Sequence, residues 1–381
     1  MPNPFILFII LFVTLFSSVF IVNIIFPIKL HEIKYKSIDG LRGYLSFFVF
    51  LHHSYIYYFY LKTNIWEEPK SNLFNHFGQT SVLFFFMITS FLFTKKLIDT
   101  KNSSLNWKLF FVSRFFRIFP MYLFSIIIII GIVVYKSHFY FYENLVTILI
   151  DIIKWITFTI AGNPDINTIK NTYIINAGVA WSLPYEWIFY FFLPILALFF
   201  KIRPSSKTLL ISTSILIIIA IAFSPKLNLL LPFVSGIIAA LIQKKIPYKT
   251  LFTSRSFSFL ILFFLIISVT FFNKGRAIVP LIISTLIFIL ITIENSFFGI
   301  LHWTISRKLG QITYSIYLVH GLILYIVFNF IIGIEKLSKY SSFDYFKVIA
   351  ICIFPIILIC QLSHLYIEIP FIKMTKKIVE K

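Results

Sequence analysis

Apolar runs long enough to cross a lipid bilayer recur from one end of this chain to the other, and they restrict its fold more than any other feature. A helix rises 1.5 Å per residue, so about 20 residues are needed to cross the hydrocarbon core. Suitable runs lie at 4–28, 43–61, 79–94, 118–135, 181–200, 208–223, 227–242, 256–272, 277–293, 309–334 and 348–367. Only helices and closed barrels satisfy their own backbone inside lipid. The expected fold is therefore an all-α polytopic membrane protein with about 11 transmembrane helices, one hydropathy run each.

With 59% hydrophobic and 13% charged residues the composition is far from that of a soluble domain. A formal charge of +20 would suggest nucleic acid in a soluble chain. In a polytopic one it belongs to cytoplasmic loops, so no nucleic-acid partner is expected. With the N-terminus outside, 23 of the 34 Lys and Arg fall in inner loops, which makes the C-terminus cytoplasmic. The first 28 residues hold no Lys or Arg, and their apolar run exceeds that of a signal peptide, so they are expected to remain as a spanning helix. Cys352 and Cys360 lie eight residues apart in one apolar segment, poor geometry for a disulfide.

The segment 145–161 disturbs the count, because Asp151 and Lys154 lie three residues apart within it and a crossing there would invert every later loop. An interfacial or re-entrant element on the outer face is expected, since an amphipathic helix can keep its charges wet. The polar stretch "GNPDINTIKNTYIINAG" continues the same outer loop.

Several polar islands interrupt the apolar runs. In "SIDGLRGYLSFFVFLHHSYIYY", Arg42 and His53 are eleven residues apart, which is three turns plus about 20°. An arginine at the cytoplasmic entrance thus leaves His53 about 16 Å deeper on nearly the same face. His52 points elsewhere, which suits packing. Asp39 could pair with Arg42 or cap the helix. His53 could be an interhelical hydrogen-bonding group, or a neutral imidazole that takes a proton from a hydroxyl. In "AWSLPYEWIFYFFLPIL", Trp181 reads first as an interface anchor, whereas Glu186 is a carboxylate inside an apolar run, where a functional or ion-pairing role is the default. Glu186 could orient an imidazole such as His53. Arg114 and Arg117, one turn apart in "VSRFFRIFPMYL", read as cytoplasmic anchors or as a pair that grips phosphates. Tyr314, Tyr317 and His320 in "LGQITYSIYLVH" suit core hydrogen bonding, and Glu368 in "YIEIPF" suits pairing with a nearby base. No histidines at i, i+4 and no paired cysteines at ligand spacing point to a metal, and no GxSxG, GxGxxG or P-loop is present.

Taken in order, "IDGLRG" with His53, "FFFMITSFLF", "SRFFRIFPMYL", "WSLPYE", "LGQITYSIYLVH" and "YIEIPF" resemble the boxes of the acyltransferase 3 family of multi-helix membrane acyltransferases. The resemblance runs from about Ser37 to Phe371. It implies a 1–36 segment with one extra N-terminal helix, a 37–372 acyltransferase 3-like membrane domain, and a basic cytoplasmic tail at 373–381. It also implies transfer of an acyl group, most simply acetyl, from acyl-coenzyme A to a hydroxyl of a surface or exported polysaccharide or glycolipid. No permanently bound cofactor is implied; acyl-coenzyme A is a donor substrate on the cytoplasmic side, and the location is a bacterial inner membrane. His53 matches the family's proposed base, with Arg42 and Asp39 in the same box and Glu186 in the acidic box. Arg114 and Arg117 match the basic pair that holds the donor phosphates, and Trp181 and Tyr317 complete the substrate-binding set. Two departures stand out: Ser90 replaces a usual glycine, and Trp187 stands where a second acidic residue is common. The competing reading is a transporter or glycan flippase with Arg42, His53 and Glu186 along a polar path.

Overall fold

The computed structural model describes residues 4–30, 34–100, 105–246 and 250–379. Lys101, Lys249 and Lys381, counted above among the inner-loop bases, lie outside them. The described chain is helical, with one isolated bridge between Ile166 and Ile169. The helices are α1 (Pro4–Ile25), α2 (Lys36–Thr63), α3 (Asn72–Asp99), α4 (Trp107–Lys136), α5 (Leu145–Ile156), α6 (Leu183–Phe199), α7 (Ser206–Phe223), α8 (Leu231–Lys245), α9 (Arg255–Phe271), α10 (Ile278–Thr292), α11 (Thr304–Gln311), α12 (Thr313–Ile326), α13 (Ile334–Ser338), α14 (Ser342–Ser363) and α15 (Ile369–Val379). π turns at Val327–Ile332 and His364–Glu368 extend α12 and join α14 to α15.

Each of the eleven apolar runs lies largely in helix. Among the described residues, eight helices are long and apolar enough to cross a membrane. Helices α9 and α10 are apolar but shorter, and α2 is long but outside that set. Its tyrosines and two histidines lower its hydropathy, which suits a helix surrounded by protein. By contrast α7 turns Leu210, Ile218 and Ile221 outward, each more than 60% exposed, and only 11% of its spanning window is buried. Such a surface needs lipid around it.

Packing groups the chain into two compact units, Met1–Phe85 with Lys245–Leu365 and Phe86–Lys244 with Tyr366–Lys381. The first is organised around α2, which packs on α10, α11, α12, α13 and α14, while α1 lies along α14 and α11. Small residues allow the tightest of these crossings. A Cβ on Gly40 would fall on the carbonyl of Leu301, one on Gly43 would crowd Leu309 and Gly310, and one on Gly310 would fall on the carbonyl of Asp39. The "IDGLRG" and "LGQ" boxes are thus two sides of one backbone-to-backbone contact, as small-residue crossings in membranes are.

In the second unit α4 packs on α15 and α5, and α6 packs on α7. Ser90, which stands where a glycine is usual, still makes a close contact: a Cβ on Gly236 in α8 would overlap the Ser90 hydroxyl and the Met87 carbonyl. Gly236 supplies the missing side-chain space at this crossing, so the helices pack closely. Helix α5 is 12 residues long, about 18 Å, too short to cross the hydrocarbon core. Asn144 caps it by accepting from the Val146 amide at 2.9 Å. Lys154 reaches Asp151 at 3.0 Å, and Leu145, Val146, Leu149, Ile150 and Ile153 face outward. The polar stretch that follows is tied down: Trp155 donates to the Pro164 carbonyl at 2.9 Å and the Thr172 amide to Asp165 at 2.9 Å. Cys352 and Cys360 are both buried free thiols.

Candidate functional site

Helix α2 is unbroken from Lys36 to Thr63, so the eleven-residue spacing of Arg42 and His53 is a true helical spacing. Asp39 lies four residues past the cap residue Tyr35, in the first turn, and Tyr35 makes no side-chain capping bond. A carboxylate there complements the helix dipole. Capping, one of the two roles expected for Asp39, belongs to a position this residue does not occupy. Arg42 is half-buried.

His52 and His53 are both buried, each 9% exposed, with ring centroids 5.0 Å apart. The Nδ1 atom of His52 is 2.7 Å from the carbonyl of Phe74, and its ring fills the space above Gly78, where a Cβ would overlap it. That is a packing and anchoring role. His53 Nδ1 lies 2.9 Å from Nε2 of His320, and the two rings are near-parallel, 20° between planes, with centroids 5.1 Å apart. His320 is fully buried, and its Nδ1 is 2.8 Å from the Ile316 carbonyl, one turn earlier in α12. A histidine, not a carboxylate, meets His53 at Nδ1. Tyr317 is 7% exposed and sits edge-on to Phe85 and to His320.

The second unit holds a different kind of polar centre. Glu186 lies in the first turn of α6 and accepts a short hydrogen bond from the hydroxyl of Tyr190, one turn on. The Arg114 guanidinium of α4 lies beside that hydroxyl. Phe93 and Phe110 box the Tyr190 ring edge-on at 5.4 and 5.9 Å, and the Arg114 guanidinium lies 5.1 Å from the centre of the Phe93 ring. A carboxylate, a phenol and a guanidinium thus form one chain, walled by aromatic rings that keep its electrostatics strong. Arg117, one turn from Arg114, reaches Glu368 at 3.9 Å, so the base that Glu368 meets is in the basic box. Trp187, where a second carboxylate is common, packs between Phe158 at 5.3 Å and Phe191 at 5.7 Å. Trp181 lies in a short turn before α6, edge-on to Tyr185 at 6.0 Å and Phe86 at 6.4 Å.

Sequence reasoning gave His320 a core hydrogen bond but no partner, and it passed over Tyr190. The signal for Tyr190 was available, since a hydroxyl at i+4 from an intramembrane carboxylate faces it. For His320 there was none, because its partner is 267 residues away in sequence.

At the N-terminal end of α2 lies a third cluster. The Ser37 hydroxyl is 2.9 Å from Nε2 of His302, which is 3.7 Å from a Glu294 carboxylate oxygen. Burial first, then the Lys36 and Arg307 cations, lower the pKa of this imidazole. It is neutral at pH 7, so the approach to Glu294 is not an ion pair there.

A family model described as an acyltransferase domain, that of acyltransferase 3, matches residues 35–364, most of the chain. No curated protein and no solved structure matches the chain.

Proposed function

From the premise that this chain belongs to the acyltransferase 3 family and is an integral membrane acyltransferase, we propose that it moves an acyl group, most simply acetyl, from acyl-coenzyme A to a hydroxyl of a cell-surface or exported glycan. The observation that carries the reading is the family match over residues 35–364, supported by a buried imidazole, His53, in the middle of α2. In the proposed step His53 takes the proton of the acceptor hydroxyl as its oxygen attacks the thioester carbonyl. The tetrahedral intermediate then collapses, the C–S bond breaks, and the coenzyme A sulfur leaves with the proton returned by the imidazolium. Arg42 and Asp39 lie near the N-terminal end of the same helix.

Arg114 and Arg117 are the residues we assign to the donor's phosphates, because guanidinium groups bind phosphate oxygens in pairs. Each already has an acidic partner in its network, Glu186 by way of Tyr190 and Glu368 directly. A phosphate would therefore exchange with a carboxylate rather than meet a bare cation, which lowers the cost of burying the arginines before the donor arrives. Trp181 and Tyr317 are assigned to the substrate path. Acyl-coenzyme A is taken as a substrate that approaches from the cytoplasm, with the C-terminus on that side of an inner membrane.

The test feeds radiolabelled acetyl-coenzyme A to membranes that contain the protein. Label on the surface glycan is the expected result; glycan that is translocated without label would replace the enzyme with a transporter.

A further inference from the structure

The hydrogen-bond acceptors around His320 fix where the protons of the imidazole pair sit. A carbonyl oxygen only accepts, so His320 Nδ1, 2.8 Å from the Ile316 carbonyl, carries a hydrogen. In a neutral ring the other nitrogen then has the lone pair, and that nitrogen, Nε2, is the one 2.9 Å from His53 Nδ1. His53 must donate from Nδ1. Its own lone pair is thereby left on Nε2.

We propose that His320 is a positioning residue that holds His53 in the tautomer with hydrogen on Nδ1, so that Nε2 of His53 is the nitrogen that takes the acceptor's proton. The inference rests on the reading of His53 as the base. In hydrolytic triads a carboxylate does this work for the base; here a second imidazole does it, and its own orientation is set by a backbone carbonyl. The chain ends at Ile316, because a carbonyl bound to an N–H offers no onward path for a proton. His320 therefore orients and supports the imidazolium that forms on His53, and the proton stays on His53 until the thiolate leaves. The ring planes are within 20° of each other and the centroids 5.1 Å apart, so the two imidazoles meet end to end, the geometry an in-plane N–H···N bond requires.

Tyr317 and Phe50 pack edge-on against the His320 ring, so a phenylalanine at 320 can occupy the same space without an acceptor. In the protein reconstituted in lipid discs and assayed with acetyl-coenzyme A and a hydroxyl acceptor, His320→Phe is expected to lower kcat about 100-fold or more with KM for the donor little changed, the scale of a lost base tautomer. His320→Gln, whose amide oxygen can accept at the same nitrogen, is expected to recover most of that loss. The imidazole 15N spectrum of the histidine-labelled wild-type protein, with the His53 signals assigned by their loss in His53→Gln, is expected to show hydrogen on Nδ1 and a bare Nε2.

A bare Nδ1 on His53 would overturn the proposal, whatever the variants do. So would full activity in His320→Phe. So too would equal losses in His320→Phe and His320→Gln. Activity that survives His53→Ala would instead remove the base reading itself, which separates the two failures.

Discussion

The imidazole pair of α2 and α12 and the Arg114–Tyr190–Glu186 chain of α4 and α6 are both polar centres set in apolar helices, yet they are built on opposite principles. Among the described residues the first has no carboxylate and no cation as a hydrogen-bond partner; it closes on a backbone carbonyl, so every group in it can stay neutral. The second joins a guanidinium to a carboxylate through a phenol and has a second arginine, paired with Glu368, one turn away. Neutral groups with a defined lone pair are suited to moving a proton. Compensated charges are suited to recognising an anion without burying a bare ion beforehand. The proposed function uses the imidazole pair for the chemical step and the arginines for donor recognition.

Substitutions separate the two, beginning with the scaffold of the first centre. Gly40→Val places side-chain atoms on the Leu301 carbonyl at the α2 crossing. An overpacked, unyielding backbone contact costs about 3 kcal/mol or more, so loss of folded protein and of all activity is expected, read by melting in detergent. An unshifted melting temperature would mean the crossing is looser than its glycines indicate.

Next comes Arg114→Ala. Losing a charged hydrogen bond of about 1.5–3 kcal/mol should raise KM for acyl-coenzyme A by about 10- to 100-fold, with kcat changed far less. A fall in kcat at constant KM would move this arginine to the chemical step and erase the division of labour. Tyr190→Phe removes one hydroxyl, worth about 1 kcal/mol, and should raise the same KM by about fivefold. Its effect should nearly vanish when Arg114 is already alanine, because the two belong to one network.

The smallest effect belongs to the third cluster. His302 has its pKa lowered by burial and by Lys36 and Arg307. An imidazole that is harder to protonate when folded contributes its full stability above its unfolded value, about 6.5, and loses it as the pH falls through that range. Wild type should therefore melt progressively earlier from pH 7 to pH 5, and His302→Gln should show a shallower decline over the same interval.

Helix α2, its eleven-residue spacing and the non-spanning α5 were all legible in sequence, because helical period and hydropathy are local properties. The number of crossings was less so: Lys36–Thr63 is too rich in tyrosine and histidine to score as a span, while α9 and α10 are too short, although all three lie where apolar runs predict helices. Ser90 shows a limit of another kind. Close packing depends on both helices, and Gly236 leaves the space that a serine at position 90 takes up. The pairing of His53 with His320 was beyond reach for the same reason, since no local pattern says which distant imidazole meets a given one.

His53 carries the proposed chemical step. The most direct measurement is the transfer of labelled acetyl from acetyl-coenzyme A to a hydroxyl acceptor by purified protein in lipid discs, comparing wild type with His53→Ala at matched insertion and matched donor binding. A loss of about 100- to 10,000-fold in kcat, the worth of a general base, with donor affinity retained, is the predicted result. Transfer by His53→Ala at the wild-type rate would contradict it.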